Sequence, residues 1–262
     1  MAEVTLRRPG LYLVEADLDD FSVRGTVVAG RSRAVVWDTL ARPVDMHGVE
    51  EVISGLPFDV VYSHGDWDHV LGTSGLARPP GHIIAHDSCP RRFADELPTT
   101  LEGLAEKGQE EYRTFPLSPP TRTFEAELEL DLGGVSLELR RLQGHTPDTI
   151  VGFIPQWNVL LAGDAVETPL PFLNPGSPIQ SWIEMLKAWA ERMDSAPEPA
   201  TVIPSHGVVG GTGLLRSTVC YLEDILAGQD PREGRELPPF YQETHGMNLK
   251  IAAAQSLNSP SR

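Results

Sequence analysis

His64-Gly65-Asp66-Trp67-Asp68-His69 follows directly on the short apolar run Asp59-Val60-Val61-Tyr62-Ser63. The run has the composition of a buried strand, and residues 67–77 read as a helix, so the six residues span a strand-to-helix turn. In an extended segment, residues i and i+2 project to the same side. His64 and Asp66 therefore aim at one point, while Asp68 and His69 open the helix and turn the other way. Neutral imidazole and carboxylate are normal ligands of divalent first-row metals. The turn thus reads as parts of two neighbouring cation sites.

Three further stretches share this design: Gly144-His145-Thr146, Gly163-Asp164 and Ser205-His206-Gly207. Each follows an apolar segment with strand character, and strand ends gather on one edge of a sheet in α/β folds. A lone histidine after a strand is ordinarily a satisfied polar residue, and a lone Asp-x-Asp is ordinarily a turn or a cap. Four such stretches in order are not independent accidents. Packing four histidines and three carboxylates together is costly through desolvation and repulsion unless cations offset it. Asp164 has two carboxylate oxygens and can face two cations at once.

Outward from these stretches, strand character appears at 10–15, 25–30, 33–38, 82–85, 123–132, 135–142, 149–154, 158–162 and 200–205. Helical spacing appears at 44–56, 181–193 and 213–227, with Ser181 and Glu184 placed as a capping box. Residues 168–180 are proline-rich and read as a loop. The order is strands, helix, strand, helix, given twice, which predicts an α/β sandwich with sheets inside and helices outside. We expect one domain over residues 1–262, with a mixed tail from about 231 and a disordered end.

The formal net charge of the 262-residue chain is −16. Such a surface repels phosphate backbones and anionic headgroups, which argues against nucleic-acid and membrane partners. Cys89 and Cys220 are the only cysteines and are far apart, as expected of thiols in a reducing compartment. The amino-terminal residues lack the apolar stretch of a secretory signal, and no apolar run reaches membrane-spanning length. The expectation is a cytoplasmic protein with a small-molecule substrate; a homo-oligomer is compatible with it.

The combined pattern resembles the metallo-β-lactamase-fold superfamily. Its hallmark is His-x-His-x-Asp-His, then a His in Gly-His-Thr, an Asp in Gly-Asp, and a His before Gly. Here these are His64, Asp68, His69, His145, Asp164 and His206. The resemblance implies an αβ/βα four-layer sandwich of two mixed β-sheets flanked by helices, with the site in the cleft between the sheets. It also implies a first cation on His64, Asp66 and His145, a second on Asp68, His69 and His206, and Asp164 bridging. The departure is Asp66, which stands where the hallmark has its second histidine. An oxygen ligand there leaves zinc as the expected metal and admits manganese or iron.

The implied activity is hydrolysis of a small ester, thioester, lactone or phosphoester by a hydroxide held between two divalent ions, with Asp68 as the catalytic orienter. One alternative is a non-haem iron redox enzyme of the same fold, persulfide dioxygenase-like or flavodiiron-like, the latter branch carrying a glutamate at the Asp66 position. Another is a metal-binding protein without catalysis. His245 and Asn248 resemble a C-terminal pair that faces the cleft in some branches. Phe172, in the 168–180 loop, is a candidate substrate contact, and His86 resembles a family position near the cleft. Asp38 ends a strand where it could hold the far nitrogen of a ligand histidine.

Overall fold

The computed structural model describes residues 1–258 apart from Ser54, Glu233 and Arg235. The expected disordered end falls on residues 259–262, outside the described residues. The first half contains β1 (Glu3–Arg8), β2 (Leu11–Asp17), β3 (Ser22–Ala29), β4 (Ala34–Trp37), α1 (Val49–Ile53), β5 (Phe58–Val61), α2 (Trp67–Val70), β6 (Ile83–His86), α3 (Cys89–Asp95), α4 (Leu97–Glu106) and β7 (Arg122–Phe124). The second contains β8 (Glu127–Asp131), β9 (Ser136–Arg141), β10 (Ile150–Ile154), β11 (Val159–Glu167), α5 (Ile179–Asp194), β12 (Thr201–His206), α6 (Gly213–Leu226) and α7 (Pro239–Asn258).

Two mixed sheets result. One runs β1 to β7 in chain order, antiparallel as far as β4 and parallel from β4 to β7. The other runs β12-β11-β10-β9-β8, with only β12 parallel to its neighbour. The period-2 alternation of strand side chains sorts the apolar residues into layers. Val35, Trp37, Val61 and Ile84 meet Leu137, Leu139, Ile150 and Leu161 between the sheets. Val36 and Val60 turn outward onto Ile53, Phe93 and Leu97 of the helices. Phe153, Leu160 and Val202 pack on Trp182, Leu186 and Leu222 at the opposite face. Helix, sheet, sheet, helix is the four-layer sandwich that the sequence leads one to expect. Among the described residues, no helix is long and apolar enough to cross a membrane.

Several local expectations are corrected. The helix over 44–56 is a 3-10 turn (Pro43–Met46) followed by α1, with the helix-disfavouring Gly48 between them. The helix over 67–77 shortens to α2 and a 3-10 turn (Leu71–Gly75), because the Gly72 N–H bonds the Leu40 carbonyl at 2.9 Å instead of continuing the α-helical ladder. The strand over 123–132 is two strands, β7 in the first sheet and β8 in the second, so the chain changes sheets at Glu125-Ala126. Helix α5 begins at Ile179, so Ser181 lies inside it and no side-chain cap forms. The buried Ile179 is part of the apolar cluster and draws the first turn forward.

From Pro239 to Asn258 the tail is the 20-residue helix α7. Its inner face is Tyr241, Thr244, His245, Asn248 and Ala252, all buried. That spacing is helical, but most of these residues are polar, so a hydrophobic-period test misses it.

Gly163 interrupts β11. The register against β12 slips between Leu161 and Gly163, and Gly163 has φ +52. A bulge of this kind re-aims the next side chain, here Asp164. A Cβ on Gly163 would lie 2.9 Å from the Ser63 Cβ. We expect Gly163→Ala to lower unfolding free energy by about 2 kcal/mol in urea titration. Gly103→Ala, in the interior of α4 with nothing within 4 Å, should instead raise it by about 0.5–1 kcal/mol. Equal stability of the Gly163→Ala protein and the parent would show that the bulge is not required.

Candidate metal centre

The structure brings all seven sequence-derived ligand candidates to one edge of the two sheets. The turn after β5 carries His64 and Asp66, α2 carries Asp68 and His69, the turn after β9 carries His145, the bulge in β11 carries Asp164, and β12 ends on His206. They fall into groups whose donor atoms all lie within 4.8 Å of one another: His64, Asp66 and His145; Asp68, His69 and His206; and His64, His69 and Asp164. The Asp66 Oδ2 is 3.2 Å from the His64 Nε2 and 3.1 Å from the His145 Nε2. The Asp68 Oδ2 is 3.6 Å from the His69 Nε2 and 3.4 Å from the His206 Nε2. Asp164 sits between the groups. Its Oδ2 is 3.6 Å from His64, 3.4 Å from His69 and 3.7 Å from His145, and its Oδ1 is 3.5 Å from His206.

Each imidazole is anchored through Nδ1, which leaves Nε2 facing inward. The His145 Nδ1–H donates to the Phe172 carbonyl at 2.8 Å, and the His206 Nδ1–H to the Ser22 carbonyl at 2.8 Å. A carbonyl only accepts, so these two rings carry their proton on Nδ1. The His69 Nδ1 meets the Asp38 Oδ2 at 3.0 Å. The Ser63 hydroxyl donates to the same Asp38 oxygen at 2.7 Å and accepts from the His64 Nδ1, 2.9 Å away. Asp38 itself, fully buried at φ 55, also accepts the Ser63 backbone N–H at 2.7 Å. One carboxylate at the end of β4 thus orients two of the four rings.

Buried atoms without partners mark the centre. The His64 Nε2, the His69 Nε2 and the Asp164 Oδ1 have no hydrogen-bond partner, which is costly in a low-dielectric interior. Inward-facing imidazole nitrogens and carboxylate oxygens are the donor set of a divalent cation, and the residues present fit such ions. The electrostatics agree. Burial works against the charged form of His69, but Asp164, Asp68 and Asp38 outweigh it and hold the ring well above its ordinary pKa. Burial also opposes charge on His206, which Asp164 and Asp68 nevertheless raise well above normal. His145 is pushed up to about 9, against burial, by its hydrogen bond to Asp66 and by Asp164. Asp66 and Asp164 are held well below the carboxylate range by their histidine neighbours although burial opposes it, and Arg92 adds to the effect at Asp66. Without a cation, protons on His69, His145 and His206 would supply positive charge to these carboxylates.

The groups open into a cleft of about 380 Å³. Phe21, Trp67, Phe172 and Phe240 form apolar walls, and Asp19, Asp20, Glu167 and Glu243 bring carboxylates. Lys107 is the one lysine or arginine among the described residues that line it. Phe21 stands edge-on to the His206 ring, with centroids 5.1 Å apart. Glu167 is buried, takes a 2.9 Å hydrogen bond from the Tyr241 hydroxyl, and is raised to about 7, chiefly by burial.

Phe172 lines the cleft, and its carbonyl holds His145. His245 and Asn248 do not reach it. The His245 Nδ1 faces the Tyr221 hydroxyl at 2.8 Å and its Nε2 faces Asp230 at 2.7 Å. Asn248 accepts the Leu173 N–H at 3.0 Å and donates to the Pro171 carbonyl at 2.7 Å. Asn248 braces the 168–180 loop from behind and His245 ties α7 to Tyr221 of α6 and to Asp230, because α7 turns that face inward. His86 packs edge-on with Phe124 and is not among the cleft-lining residues. Sequence reasoning missed Arg92, Glu167 and Tyr241. Glu167 lies three residues beyond Asp164 on the same strand, the one local signal for it. Arg92 and Tyr241 gain their roles only through partners distant in the chain.

Comparison with known proteins adds to this geometry. The profile of the metallo-beta-lactamase superfamily matches residues 18–206. A metallo-beta-lactamase from Pontibacter korlensis superposes with TM-score 0.64 over 86% of this chain and 100% of its own, at 20% identity. DIM-1 metallo-beta-lactamase gives 0.62 over 85% and 97%, at 21% identity. At such identity the likeness speaks for the fold alone. A curated relative in Aspergillus versicolor, named "Putative transcription factor avaE", is 25% identical over 199 residues. That alignment takes in 71% of this chain and 58% of the relative, so the chain spans little more than half of that protein. With the profile match covering most of its length, this chain belongs to the metallo-β-lactamase superfamily.

Proposed function

We propose that the protein is a metal-dependent hydrolase of small esters, thioesters or lactones that binds two divalent cations, with zinc the expected metal. The observation that carries this reading is the pair of three-residue groups, each facing Asp164, with buried Nε2 atoms left without protein partners. His64, Asp66 and His145 would hold the first cation and Asp68, His69 and His206 the second, with Asp164 between the groups, its Oδ2 near His64 and His69 and its Oδ1 near His206. When bound, such ions polarise an electrophilic oxygen and bring the pKa of water near neutrality. The chain itself supplies orientation. Asp68 holds a carboxylate at the centre to align a water and take up its proton. Phe21, Trp67, Phe172 and Phe240 exclude bulk water and receive the apolar part of the substrate.

The cleft also bears on substrate charge. Asp19, Asp20 and Glu243 line the cleft with one lysine, Lys107, and away from the cations this favours uncharged or cationic groups on the substrate over anionic ones. Nucleic acid is disfavoured for the same reason. A second reading, an iron redox enzyme of the same fold, draws support from Asp66, whose oxygen hardens the first site. Elemental analysis of protein purified without chelators separates the two. Zinc or manganese with ester hydrolysis supports the first, and iron with oxygen consumption the second. Bound metal with neither activity would leave a non-catalytic role.

Three outcomes are expected. Asp68→Ala should lower kcat by about 100-fold or more while the far-ultraviolet circular dichroism is unchanged; undiminished turnover would reject the role of Asp68. Among esters matched in size, the kcat/KM should rise from anionic to neutral and cationic acyl groups, and a preference for the anion would contradict the cleft reading. Cation affinity should climb with pH because ions and protons compete for the same nitrogens, by about tenfold per pH unit for each proton displaced. For His145 the climb ends near pH 9. Its raised pKa stabilises the metal-free fold fully below the unfolded value, and that stability is lost as pH rises through about 9. Chelator-competition titrations at pH 6, 7 and 8 that give one constant would refute the competition.

A further inference from the structure

Arg92 lies on α3 and is 9% exposed. Its three guanidinium nitrogens meet three different carboxylates. NH2 donates to the Asp66 Oδ1 at 2.5 Å, NH1 to the Asp148 Oδ1 at 3.0 Å, and Nε to the Glu96 Oε2 at 2.8 Å. Asp148 is fully buried and also accepts from the Thr146 hydroxyl at 2.8 Å, next to His145. One side chain therefore clasps the two segments that carry the first group, the turn after β5 and the turn after β9. The fit is close: a Cβ on Gly65 would lie 3.5 Å from the Arg92 Cβ and 3.2 Å from the Asp148 Oδ2.

We propose that Arg92 is a positioning residue that lets an aspartate serve as a ligand at the first cation site. The inference rests on the metal-binding reading above. A free carboxylate rotates and offers either oxygen. With Oδ1 taken by Arg92, Asp66 presents only Oδ2 to the point between His64 and His145. Charge gives the second reason. The other two members of that group are imidazoles, so Asp66 adds an anion beside Asp164, and the guanidinium offsets it from the side away from the centre. A guanidinium suits this task because its donors diverge in one rigid plane, whereas an ammonium is a point charge that satisfies fewer fixed acceptors. The pairing also gives a physical account of the departure from the hallmark: aspartate at 66 and arginine at 92 form one unit, and a neutral histidine at 66 has no use for the arginine.

The test is a double-mutant cycle read by metal binding. Arg92→Leu and Arg92→Lys are made in the parent and in Asp66→His protein. Zinc stoichiometry and the dissociation constant of each site are measured by chelator competition, and the metal-free melting temperature of each variant by circular dichroism. In the parent, Arg92→Leu should weaken one of the two sites by about 10–100-fold, the range for residues that orient a ligand, and leave the other nearly unchanged. Arg92→Lys should recover part of the loss. In the Asp66→His background, Arg92→Leu should cost clearly less than in the parent, because only the tie to Asp148 is left to lose. Equal losses in both backgrounds, or two unaltered sites in Arg92→Leu protein, would overturn the proposal while leaving the metal centre standing. If Arg92→Leu does not fold, an Arg92→Lys affinity identical to the parent's is the overturning result and a weakened one the supporting result. Parent protein that binds none of zinc, manganese and iron would instead overturn both this proposal and the metal-binding reading.

Discussion

Three aspartates and four histidines share one buried space, and their charge has to be balanced there. The rest of the structure depends on that constraint. Carboxylates removed from water cannot all stay ionised without positive partners. In the metal-free chain the balance comes from raised imidazole pKa values and from Arg92. The same arrangement makes the centre receptive to divalent ions, since every proton on an inward nitrogen occupies a coordination position. Basicity and affinity for cations are two readings of one electrostatic field.

The scaffold serves that field by fixing directions. Asp38 holds His69 and, through Ser63, His64. The Ser22 and Phe172 carbonyls fix His206 and His145. Arg24, buried in β3, reaches across to the carbonyls of Pro204 and Gly207 on either side of His206, at 2.6 and 2.8 Å. Asn248 braces the loop that supplies the Phe172 carbonyl. Each tie replaces side-chain freedom with a fixed angle, so the entropic cost of assembling ligands is met during folding rather than during binding.

Much of this was legible in the sequence, for a reason that can be stated. Most of the ligand candidates follow short apolar runs, and the end of such a run fixes both the position and the side of the next residue; Asp164 follows one too, although β11 continues past it through a bulge. His64, Asp66, His145, Asp164 and His206 could therefore be placed by local reasoning. The order of strands and helices pointed to an α/β sandwich, and the family resemblance implied its four layers. What escaped has a common cause. Arg92 and Tyr241 matter through partners far along the chain, and nothing near them signals it. The split of 123–132 between two sheets leaves no local mark, because both pieces are good strands. Helix α7 hides behind an inner face of Thr244, His245 and Asn248. The resemblance that put His245 and Asn248 at the cleft does not tell which way a helix face turns, and here they bond Tyr221, Asp230, Leu173 and Pro171 instead.

The change of sheets at Glu125-Ala126 divides the chain into two nearly consecutive halves, and the donor groups do not respect that division. His64 and Asp66 come from one half and His145 from the other; Asp68 and His69 come from one and His206 from the other. An ion seated in either group would work as a rivet through the seam. Its binding energy would add to the adhesion of the two sheets, so loss of metal would be felt mechanically, as a loosening between halves, before either half lost its own strands.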